Sequence, residues 1–165
     1  MTRTVEVLII GAVVGIIGLI SGYAVLSARS HTRDVTRLAN VREIQMALEL
    51  YFQNHSSYPV AVEPVALGQA LTACLSQEGF AAPCSKSGPT PYLESVPTPP
   101  TSGLGGESSC SNVDDAYCYS GTADAFRVQF ELERGNALLG LASGANCVTE
   151  DGMKAGACST LSSTQ

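Results

Sequence analysis

Charge is scarce in this chain: none occurs from Val7 to Leu26, and Asp, Glu, Lys and Arg make up 15% of the 165 residues. Histidine is scarcer still. His31 and His55 are the only two, both in or beside one N-terminal segment, so no Ser-His-Asp arrangement can be drawn. No phosphate-cradling glycine loop occurs either, and catalysis is not expected. Basic residues run out after the first third: from His55 onward four stand against eleven acidic ones, a net of −7. Such a surface repels phosphate, which excludes direct nucleic-acid binding by the C-terminal part. Cysteine is absent before Cys74, no C-x-x-C occurs, and no histidine lies near a cysteine, so a zinc site is disfavoured. Proline is absent before Pro59, so nothing breaks a helix over residues 4–54.

What fills that space is apolar. Val7 to Leu26 is 20 residues long, enough for a helix to span the roughly 30 Å of bilayer hydrocarbon. A cleaved signal peptide would carry a shorter core and a small-residue site, which "SGYAVLSARS" imitates only loosely. The helical pattern then continues as an amphipathic one. Val35, Leu38, Val41, Ile44, Leu48 and Tyr51 recur at three- and four-residue steps, leaving Arg33, Arg37, Arg42, Glu43 and Glu49 for the surface. One helix of about fifty residues is predicted, ending where Pro59 forbids helix at Tyr58.

The fold class expected is α+β: a long N-terminal helix, apolar then amphipathic, packed on a small antiparallel meander with disulfide-stapled loops. Residues 1–27 form the apolar helix segment and 28–54 its amphipathic continuation. Residues 55–113 read as a connecting region with one short helix at "ALGQALTACLSQ" (66–77), placing Leu67, Leu71, Cys74 and Leu75 on one face. Residues 114–165 carry the sheet and a C-terminal loop. Its strands are "DAYCYSG" (115–121), "AFRVQFELE" (125–133) with Phe126, Val128, Phe130 and Leu132 facing the helix, and "ALLGLASG" (137–144) after an "RGN" turn. Alternation makes Tyr117, Tyr119, Phe126 and Phe130 core residues before it makes them a binding face.

Six cysteines, 74, 84, 110, 118, 147 and 158, read as disulfides of an exported domain, with 15 possible connectivities. A sequential pairing, Cys74–Cys84, Cys110–Cys118 and Cys147–Cys158, closes the shortest loops and is preferred. The arginines after the apolar run would by the positive-inside rule hold the C-terminal part in the cytoplasm. The cysteines, which need an oxidising compartment, take precedence, because a folded domain is translocated despite a weak charge bias.

Two features look toward assembly. Gly11-x-x-x-Gly15 and Gly18-x-x-x-Gly22 are small-x-x-x-small motifs that let apolar helices approach closely. Glu6 sets a carboxylate at the mouth of the apolar run, where only a positive partner would justify it. The stretches "EVLIIGAVVGIIGLI", "ARSHTRDVTRLANVREIQMALELYFQNHSSYP" and "YLESVP" resemble type IV pilins and pseudopilins, closest to the major pseudopilin-like branch. The sequence departs from that family in two ways. "MTRTV" ahead of Glu6 lacks the family's Gly-Phe junction, and Gly15, Gly18 and Gly22 stand where a kinking proline is frequent.

The resemblance implies a structural subunit with no cofactor. It would be held in the cytoplasmic membrane before assembly, then polymerised with copies of itself into an extracellular pilus by dedicated assembly machinery. The alternatives are a pseudopilin of a secretion or DNA-uptake machine, and an anchored binding domain that never polymerises. Assembly would rest on Glu6, Gly11, Gly15, Gly18 and Gly22. The resemblance also raises calcium at Asp114, Asp115, Glu150 and Asp151, but these carboxylates match no EF-hand and read as solvated loops.

Overall fold

The computed structural model describes residues 2–82, 84, 90–101, 110, 113 and 115–159. A single helix, α1, runs from Thr2 to His55, 54 residues or about 80 Å. It ends where Ser56 turns left-handed (φ 54°) while its N–H still reaches Phe52 O at 2.7 Å. Two residues on, Tyr58 stacks on Phe52 and meets Phe126 edge-on, fastening the helix end to the sheet.

That sheet has five antiparallel strands in the order β1 (Ala61–Ala66), β4 (Cys118–Gly121), β5 (Phe126–Leu132), β6 (Gly144–Thr149), β7 (Gly152–Ala155). A separate hairpin pairs β2 (Cys74–Ser76) with β3 (Gly79–Ala81). β5 alternates buried and half-buried along its whole length, with Phe126, Val128, Phe130 and Leu132 all fully buried. They share one core with Val41, Ile44, Leu48 and Tyr51 of α1 and with Tyr117 and Tyr119. The α+β expectation therefore describes the molecule.

Several local expectations do not survive. No helix forms over 66–77; β1, a turn and β2 occupy it, and Leu71 is exposed while Leu67, Cys74 and Leu75 are buried. Of the four residues at helical spacing, the three that are buried are satisfied equally well by a strand between turns, and Gly68 at φ 74° favours the turn. The third strand begins only at Gly144; residues 137–139 make a single 3-10 turn. Asn136 accounts for this, its side-chain oxygen accepting from Leu138 N and Leu139 N, while Gly140 closes the turn at φ 67°. The meander gains β1 and β7, both short, and Pro64 sits in edge strand β1, where proline is tolerated. On α1, Val35 is 51% exposed and Ala47 joins the buried stripe instead.

The cysteines pair sequentially, Cys74–Cys84, Cys110–Cys118 and Cys147–Cys158, with Cα separations of 5.6, 5.4 and 5.1 Å, and no cysteine is free. Close packing also dictates one glycine. Tyr119 donates to Pro59 O at 2.6 Å, and a Cβ at Gly121, two residues along the same face, would strike both the Tyr119 hydroxyl and that carbonyl.

Phe130 is the central aromatic of this core. Phe130→Ala is expected to cost about 3–5 kcal/mol, read as a lowered thermal midpoint of the oxidised chain. A wild-type midpoint would mean that the helix and sheet do not meet at this residue.

Candidate assembly surface

Among the described residues, nothing packs against the first half of α1. Every described side chain from Val5 to Leu26 is exposed, Glu6 included. A Cβ built on Gly11, Gly15, Gly18 or Gly22 would find open space within 4 Å. At 100° per residue these four glycines fall within about a 60° arc, one groove along the helix. Glu6 lies about 140° away around the axis, so the carboxylate and the glycine groove face different directions. Among the described residues, α1 is the one helix long and apolar enough to cross a membrane.

Below Leu26 the helix is gripped. Asp34 continues the buried stripe, 5% exposed, and its two oxygens accept the consecutive backbone N–H groups of Glu133 and Arg134, both at 2.8 Å. Those amides lie just past the end of β5, where the sheet ladder no longer supplies partners, so the carboxylate satisfies the strand end. Arg37, 2% exposed, reaches Asp34 Oδ1 and Glu133 Oε1 at 3.0 Å each. Arg33 adds a two-pronged bond to Glu133, 2.6 Å from Nε and 2.5 Å from Nη2. The expectation of a surface position is therefore wrong for Arg37, which is buried, while Arg33 stays partly exposed at the rim. Two arginines and two carboxylates form a neutral group between helix and sheet.

The same face holds the proline-rich loop. Arg37 Nη2 donates to Pro100 O at 3.3 Å, and Asn40 Nδ2 to Thr98 O and the Tyr117 hydroxyl, both at 3.1 Å. Burial pushes the Tyr117 phenol up to about 12, so it stays protonated. Just above, Arg134 Nη1 donates to Ser27 O at 3.3 Å and to the Ser27 hydroxyl, the first residue after the apolar run.

The calcium candidates are not gathered. Glu150 accepts from Phe126 N at 3.4 Å, Asp151 pairs with Lys154 at 3.7 Å, Asp115 sits in a left-handed turn (φ 50°), and Asp114 lies outside the described residues. Among the described residues no three histidine, cysteine or acidic side chains cluster to hold a metal. Family models, characterised proteins and solved structures offer no match to this chain.

The hydrogen bond from Arg33, aided by Arg37, holds the Glu133 carboxyl below its ordinary value. Because that folded value is depressed, its contribution is complete above about pH 4.3, the ordinary glutamate value, and fades as pH falls through the folded one. Glu133→Gln should melt lower than wild type at neutral pH and lose less on acidification, so the two midpoints converge toward acid. Parallel curves would show that Glu133 is not coupled to folding. Arg37→Met, which removes the guanidinium shared by buried Asp34 and half-buried Glu133, should cost about 3 kcal/mol, measured by denaturant unfolding; an unchanged midpoint would remove Arg37 from the core.

Proposed function

We propose that this chain is a structural subunit of a type IV pilus-like filament, stored in a membrane by the first half of α1 and polymerised through it. The observation that carries this reading is the split of one continuous helix. One face of its second half packs on the sheet, while its first half carries an apolar surface, an open glycine groove and an exposed carboxylate. Lipid covers such a surface before assembly, and neighbouring copies of the same helix cover it afterwards. A glycine groove lets one neighbour approach closely. Glu6, on another side, is free to meet a different neighbour.

In a helix bundle stripped of water an unpaired carboxylate is penalised by several kcal/mol. A cation on the adjacent copy meets it, and the pair fixes the axial register. Outside the bundle, acidic domains stapled by three disulfides face water. The resemblance of the helix segment to pilins and pseudopilins supports the same reading.

Glu6→Ala leaves the domain folded and the helix in the membrane, and is expected to abolish or slow filament incorporation. Shearing cells and probing the released fraction measures this, with the membrane fraction as control. Wild-type recovery of Glu6→Ala in sheared filaments would cancel the register role of the carboxylate. A wild-type chain found only in membranes would cancel the filament itself.

A further inference from the structure

The polymerisation surface does not explain the loop between β5 and β6. Leu138 at its tip is 98% exposed, and its neighbour Leu139 is exposed too. Single exposed leucines are ordinary, but this pair stands on a turn that is built to hold it. Asn136 exchanges backbone bonds with Leu141 in both directions at 2.9 Å. Its side chain takes the amides of Leu138 and Leu139 at 3.1 and 3.2 Å. Asn146, fully buried, braces the base through Ala142 N, Ala142 O and Gly144 O at 2.8–3.0 Å. The turn is rigid and presents its leucines to the outside.

Its place in the fold says what lies outside. β5 runs back along α1, from Phe126 beside Tyr58 to Glu133 beside Arg33. The next residue, Arg134, is bonded to Ser27, directly below the apolar run. The Leu138 turn therefore projects from the end of the domain at which the apolar helix emerges. Around that end stand Arg29 and Arg134, both exposed. A bilayer that holds Val7–Leu26 has its headgroups at this level, and headgroup phosphates match the arginines.

We infer that the 136–140 turn is a second membrane contact, dipping Leu138 and Leu139 into the headgroup–acyl boundary while Arg29 and Arg134 meet lipid phosphates. This rests on the membrane-stored subunit proposed above. It sets the tilt of the domain on the bilayer, and the contact must be broken before the subunit joins a filament.

The chain contains no tryptophan, so a single introduced indole reports its own surroundings. The full oxidised chain is reconstituted in phosphatidylcholine–phosphatidylglycerol vesicles with and without brominated acyl chains. Three variants are compared: Leu138→Trp, Val62→Trp at the opposite end of the sheet, and Val14→Trp inside the apolar run. The inference expects blue-shifted, bromine-quenched emission at 14 and 138, an unquenched signal at 62, and reduced quenching of Leu138→Trp when Arg134→Gln is added. Quenching at 14 with none at 138 overturns the loop contact and leaves the membrane reading standing. Equal quenching at 62 and 138 overturns it as well, since the domain then lies on lipid without preference for this loop. Failure to quench at 14 overturns both readings.

Discussion

The bond between Asp34 and the end of β5 is the constraint on which the other contacts depend. A carboxylate on a helix accepts two consecutive backbone amides where a strand stops, and Arg37 holds that carboxylate from one turn further along. Burying ions gains little stability against apolar groups of the same volume, because desolvation offsets the attraction. What it supplies is geometry. Two fixed N–H groups and a carboxylate fit in one way, so helix and sheet meet in one rotation and one axial register. A purely apolar seam of Val41, Ile44 and Leu48 would tolerate sliding by a turn far more readily.

The aromatic group at the far end completes the fixation. Tyr58 between Phe52 and Phe126, and Tyr119 bonded to Pro59 O, fasten the last turn of α1 to the start of β5. With the ionic group at one end and the rings at the other, the helix from Arg33 to His55 is one body with the sheet. From Val5 to Leu26 no other described residue packs against it. Any bending or unwinding of α1 is thereby confined to the glycine-bearing half, where each glycine lowers local helix stability by about 1 kcal/mol.

The parts of this legible in the sequence are those where one period dominates. Apolar composition over 20 residues, the 3.6 period of residues 38–51 and the alternation of 126–132 each had one reading, and proline at 59 marked the helix end. The parts that were not legible are those where a polar side chain has a distant partner. Asp34 and Arg37 lie on the buried stripe, yet a charge on a helix reads as surface until Glu133 is known to be beside it. Asn136 and Asn146 redirected the segment expected as a third strand by local bonds that hydropathy does not register. At 66–77, Leu67, Leu71, Cys74 and Leu75 fitted a helix face, but Gly68 and pairing with β3 decided for turn and strand. In the candidate assembly surface Glu6 and the glycines could be picked out as residue types. Their division onto two sides of α1 follows once the helix is continuous.

Filament membership is the central claim, and electron cryo-microscopy of filaments sheared from the cell surface tests it most directly. The account predicts this chain as the repeating subunit, with the apolar halves of α1 bundled about the axis, Glu6 within reach of a cation on a neighbouring copy, and the acidic sheets outermost. Filaments built from other chains, or a repeating subunit whose apolar helix lies outside the core, would contradict it.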